Sequence, residues 1–273
     1  MVMYRTSSSF LIFLCSVVII ILVQTSCYER KEGCLDPVSF NFDPTADDLC
    51  DDCCTNPMLQ LSIKHQVNGK FYSAADTLIN QSGQSYKILD FAYYLSNIRV
   101  TDQTGVPVEG INKVSYTQNG VESEREDLFV LVRPNVFDFN VNEIRQSGTF
   151  STLFMTIGLD EEARKTDVWN VKNDHILSDT LFLKNGADVK IWSSIQIAKG
   201  ANFADTATYV FTMDDADDFL LLSSEKKVSK GQNIKYTLVA EYTEWFRSVD
   251  LNLPDKLIKS MLQANLKSAF RVE

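Results

Sequence analysis

The side chains with distinctive chemistry are few: two imidazoles, one compact group of thiols, and three indoles in 273 residues. The imidazoles are His65 and His175. Imidazole nitrogen suits transition metals, copper among them, and with no cysteine in residues 55–273 these two histidines are the candidate metal ligands of that part of the chain. The thiols gather in a short stretch, as Cys34, Cys50, Cys53 and Cys54. An even set confined to one segment of an exported chain reads as a disulfide staple. A bond between the neighbours Cys53 and Cys54 is strained. That leaves 34–53 with 50–54, or 34–54 with 50–53, and the spacing does not choose between them.

Carboxylates crowd the same stretch. Asp36, Asp43, Asp47 and Asp48 offer oxygen to a hard cation such as calcium, although their spacing is not that of an EF-hand loop. The plainer reading is a solvated acidic linker. Elsewhere the signals for catalysis are missing. No Gly-x-Ser-x-Gly elbow, phosphate loop or dinucleotide fingerprint is present. The expectation is therefore a protein that is not an enzyme.

Charge narrows the partners. The net charge is −10 at pH 7, which is poorly suited to nucleic acid, whose phosphates demand Lys and Arg. The N-terminus carries Arg5 and then an apolar run from Phe10 to Val23, short for a membrane span and right for a signal peptide over residues 1–26. The run ends in Val23-Gln24-Thr25-Ser26-Cys27, and small residues before a cysteine resemble a lipobox, with Cys27 as the lipidation site. An acidic protein is repelled by anionic lipid, so the acyl chain would hold it on the membrane. The expected location is periplasmic or outer-membrane-anchored.

The elements that must position His65 and His175 are strands. Leu59 to Val67 alternates apolar and polar residues, and His65 shares its inward face with Leu59, Leu61, Ile63 and Val67, where an imidazole is either a hydrogen-bonded core histidine or a metal ligand. Ser85 to Val108 reads as two strands or one bent strand, closing at Asp102-Gln103-Thr104-Gly105 with Gly105 at positive φ. Leu128–Val132, Phe137–Val141, Phe150–Leu159, Val189–Ile197, Thr208–Met213 and Asn233–Tyr242 are further strand-like runs. Glu122 to Asp127 reads as a charged connection, Glu161 to Val168 as a single helical turn, and Val168 to Val189 as an irregular loop around His175. Leu257, Ile258, Met261, Leu262 and Leu266 recur at helical spacing. Asp214, Asp215, Asp217 and Asp218 form an acidic turn.

Several of these runs carry a family resemblance. Leu89, Tyr93, Tyr94, Leu95, Ser96, Asn97, Ile98 and Gly105, with Gly148, Leu153, Ile157, Gly158 and Leu159, resemble the MbnP-like proteins, secreted proteins named for a copper-binding periplasmic protein. The neck from Gly33 to Cys50 resembles a short module of secreted proteins of the Bacteroidetes type. In the family's copper-binding members a tryptophan, oxidised to kynurenine by a dihaem peroxidase-like partner, joins histidine at the metal. Trp192 matches the first tryptophan of the family's Trp-rich strand, while Ser194 stands in place of the second. The resemblance thus implies a copper centre built from His65, His175 and Trp192.

The sequence therefore leads us to expect an all-β protein. Residues 1–26 are a signal peptide, 27–57 a Cys- and Asp-rich, disulfide-rich neck, and 58–273 an Ig-like β-sandwich of about eight to ten strands with a short C-terminal helix. The expected function is envelope-anchored copper binding. The rival class is a surface lipoprotein that serves as an adhesion or glycan-binding module without metal.

Overall fold

Alternation in the first long strand sets the inner face of the body. In β1 (Met58–Val67) every second residue is buried, His65 included. Facing it is β2 (Ser85–Asp102), one strand of 18 residues and not two. Its bend comes from irregular register at two points. One lies at Leu89, opposite Gln196 and Ile197, and the other around Asn97, whose φ is 52°. Leu89 is consequently 38% exposed. Gly105 holds the following turn at φ 84°.

The structure, a computed structural model, describes residues 28–50, 52–178, 191–212, 217–221 and 225–273. The expected signal peptide over residues 1–26, Cys27, the loop positions Asp179 and Asp188, and Asp214 and Asp215 lie outside the described residues.

The remaining elements follow in chain order. They are β3 (Lys113–Gln118), β4 (Val121–Glu126), β5 (Val130–Val132), β6 (Asp138–Glu143), β7 (Gly148–Ile157), α1 (Glu161–Lys165) and β8 (Val168–Asn170). After them come β9 (Ile191–Lys199), β10 (Asp205–Thr212), β11 (Ile234–Glu241), α2 (Tyr242–Trp245), α3 (Asp255–Ala269) and β12 (Phe270–Val272). One sheet runs β6-β1-β11-β12, with β1 and β11 parallel. A second runs β10-β9-β2-β7 and continues to Asp217–Leu221. A third, smaller sheet is β8-β3-β4. The two larger sheets face each other across one apolar core in a sandwich-like arrangement.

Glu122–Asp127 is not the charged connection its composition suggests. Residues up to Glu126 form β4, which pairs with β3 through a turn at Asn119 and Gly120, φ 51° and 76°. Charge hid the strand because its inward side chain is itself charged. Arg125 points in and meets Asp160 through two hydrogen bonds of 2.9 and 2.6 Å. Asp160 also caps α1, accepting from the Ala163 amide. The C-terminal helix α3 buries Ile258, Leu262, Leu266 and Ala269 along one stripe, as the spacing required.

By its contacts the chain divides into a neck, within Met1–Pro37 and Asn41–Cys54, and a body, Val38–Phe40 with Thr55–Glu273. In the neck, Glu32–Gly33 pairs in parallel with Asp48–Leu49. The disulfides are Cys34–Cys54 and Cys50–Cys53, one of the two pairings left open by the spacing. The acidic side chains find partners of their own. Asp43 pairs with Lys31 at 2.5 Å and accepts from Thr45, and these bonds hold its carboxyl down at about 2. Asp47 accepts from the Tyr28 hydroxyl, and Asp48 pairs with Arg30.

Candidate metal centre

His65 is 2% exposed and sits in an aromatic box. Its ring lies 5.1 Å from Phe91, 5.5 Å from Phe137 and 5.9 Å from Tyr242, the last nearly parallel. Both nitrogens are engaged: Nδ1 lies 2.7 Å from the Tyr242 hydroxyl, and Nε2 lies 3.4 Å from the Val136 carbonyl. A carbonyl can only accept, so Nε2 carries the proton and Tyr242 donates to Nδ1. Burial disfavours the charged ring and lowers its pKa to about 4. His65 is thus a neutral, fully hydrogen-bonded core histidine.

His175 lies in a different environment. It stands just before the 3₁₀ turn Ile176–Ser178, with its side chain about a fifth exposed. The Leu177 amide donates to Nδ1 at 3.1 Å, which leaves the proton on Nε2. Nε2 then donates to Asp127 Oδ2 at 2.8 Å. Asp127 is held by its backbone, which donates to the Asn112 carbonyl and accepts from the buried amide of Asn142. The pair forms part of the wall of a cavity of about 380 Å³, with Asp174, Lys113, Lys172 and Ser115 also on that wall. A cation taken here would replace the Nε2 proton and find a carboxylate oxygen beside the nitrogen.

A sheet separates the two imidazoles. Phe91 and Tyr93 lie on the same face of β2, ring centroids 6.1 Å apart, and His65 packs on Phe91. Over Tyr93–Leu95 the register with β5 is regular, so Tyr94 points to the face opposite Tyr93. There its hydroxyl donates to the carbonyl of Ile176, the residue after His175, at 2.7 Å. The expected centre of His65, His175 and Trp192 is therefore not assembled. Period-two alternation sends the two histidines to opposite sides of one strand.

Trp192 lies with neither. It is fully buried in β9 against Phe211, 5.5 Å away. Its indole nitrogen has no hydrogen-bond partner among the described residues. The indole on the His175 side is Trp169 of β8, half-buried against Phe129 at 5.4 Å and Tyr116 at 5.8 Å. Sequence reasoning passed over it because Val168–Asn170 was read as loop. Among the described residues, Cys50, Cys53 and Cys54 are the one group of three potential ligands that converges, and all three are disulfide-bonded.

The model of the MbnP family matches residues 56–185. Over that segment, just under half of the chain, the protein is MbnP-like. Both histidines and Trp169 fall inside the matched segment, while Trp192 lies beyond it. Among solved structures, MbnP from Methylosinus trichosporium is 12% identical, with a TM-score of 0.46, and the match covers 80% of this chain and 98% of that one. No curated protein matches.

Proposed function

We propose that this MbnP-like chain is an exported, lipid-anchored protein that binds copper without catalysing a reaction, and that His175 and Asp127 take the ion. The observation that carries this reading is their pairing at 2.8 Å on the wall of an open cavity. Mixed nitrogen and oxygen donors suit Cu(II); Asp174 lies on the same wall with Lys113 and Lys172 but does not converge with the pair. His65 does not fit a metal site: its nitrogens meet a tyrosine hydroxyl and a backbone carbonyl inside the aromatic core, whereas Nε2 of His175 faces a carboxylate on a cavity wall. Bound copper would supply one-electron chemistry; the chain's part is to hold it and fix its donors. Cys27 would carry the lipid. A dihaem peroxidase-like partner would reach half-buried Trp169 before fully buried Trp192.

A second reading is a surface module for adhesion or glycan binding. Two observations favour it: the sheet between the imidazoles, and an open cleft of about 540 Å³ lined by Gln84, Lys199, Asp205 and Asn252. Equilibrium dialysis against Cu(II) separates the readings. We expect one copper per chain, lost in His175→Ala and retained in His65→Gln. A wild-type chain that retains none leaves the metal-free module as the function.

A further inference from the structure

The two disulfides of the neck are close enough to exchange. Cys34–Cys54 and Cys50–Cys53 are separate bonds, yet the sulfurs of Cys50, Cys53 and Cys54 all lie within 4.8 Å of one another. The bonds differ in access. Cys34 is 1% exposed and Cys54 half-buried, whereas Cys53 is open to solvent beside half-buried Cys50. Thiol–disulfide exchange requires a thiolate to reach a sulfur, so an external reductant meets Cys50–Cys53 first. Backbone hydrogen bonds tie Cys50 to the segment that carries Cys34, independently of that bond. The Cys50 amide donates to the Gly33 carbonyl at 3.1 Å, and the Asp43 amide donates to the Cys34 carbonyl at 2.8 Å.

We infer that the neck is a thiol–disulfide relay, in which Cys50–Cys53 admits reducing equivalents and Cys50 passes them to the shielded Cys34–Cys54 bond. The partner is a dithiol reductant. One of its thiolates attacks Cys53 Sγ, and Cys50 leaves as the thiolate. The partner's second thiol then attacks the mixed disulfide, so that the partner departs as a disulfide and Cys53 as a thiol. The Cys50 thiolate attacks Cys54 Sγ, a Cys50–Cys54 bond forms, and Cys34 leaves and takes a proton from water. One dithiol is oxidised, and the chain exchanges two disulfides for one disulfide and two thiols. Cys50 is the attacking group because a bond from Cys53 to its neighbour Cys54 would close a strained ring.

The test uses the mature chain with its neck intact. One equivalent of dithiothreitol is added, the thiols are trapped by alkylation, and the bonds are mapped by mass spectrometry. The relay predicts alkylated Cys34 and Cys53 with a new Cys50–Cys54 link. Alkylated Cys50 and Cys53 with Cys34–Cys54 intact would overturn it. In a Cys50→Ser, Cys53→Ser chain, reduction of Cys34–Cys54 should slow at least tenfold, and an unchanged rate contradicts the relay. If that variant loosens the neck and speeds reduction, the mapping on the unaltered chain decides.

Discussion

The Tyr242 hydroxyl lies 2.7 Å from Nδ1 of His65 in the centre of the body. The two residues are far apart in sequence and meet because β1 and β11 run parallel, which brings Ala240 beside His65 and the start of α2 above it. The bond gives a buried nitrogen its one donor.

Removing that donor strands the acceptor. Tyr242→Phe should destabilise the body by about 1–3 kcal/mol, the cost of an unsatisfied buried polar group. Urea denaturation followed by tryptophan fluorescence measures it. An unchanged midpoint would mean that water or a rearranged side chain satisfies His65.

His65 also makes stability depend on pH. Its folded pKa, about 4, lies below the ordinary histidine value because burial disfavours the cation. Between the two values the unfolded chain binds the extra proton, so stability falls as pH drops from about 6.5 toward 4. The loss from this one group is on the order of 3 kcal/mol. His65→Gln should flatten the denaturation midpoint over that pH range, and an equally steep profile in the variant would assign the slope to other groups.

Arg125 should be expensive to truncate. It and Asp160 have side chains only 10% and 11% exposed, and they are joined by two hydrogen bonds. Arg125→Ala leaves Asp160 buried beside the α1 amides without its cation, a loss of about 3–5 kcal/mol. Thermal denaturation checks this, and a drop below 1 kcal/mol would show the pair to be more solvated than its burial indicates.

Gly110 is held to glycine by a neighbour and not by its backbone. A methyl group there would meet the Asn142 side-chain carbon at 2.5 Å. Asn142 bonds Asn112 twice and accepts the task of fixing the Asp127 carbonyl. Gly110→Ala should cost about 1–3 kcal/mol by overpacking. It should also weaken copper uptake at His175, through Asp127. Calorimetry and dialysis read the two effects separately.

Much of this was legible from local pattern. Alternation from Leu59 to Val67 is enough to turn His65 inward, and the spacing of Ile258, Leu262 and Leu266 is enough for a helix. The site was less legible, because His175 and Asp127 are 48 positions apart and join through a loop and the end of a charged strand. Period two puts Phe91 and Tyr93 on one face and Tyr94 on the other once the strand is continuous. Which histidine each face receives depends on sheet order, and that order is set by packing between distant segments. Val121–Glu126 was misread for a related reason: its inward residue is an arginine whose partner, Asp160, lies beyond any local window.

The central claim is that copper sits at His175 with carboxylate oxygen, and not between two histidines. Electron paramagnetic resonance of the Cu(II)-loaded chain tests it most directly. The account predicts superhyperfine coupling from a single imidazole nitrogen, lost in His175→Ala and unchanged in His65→Gln. Coupling from two imidazoles that falls to one in His65→Gln would contradict it.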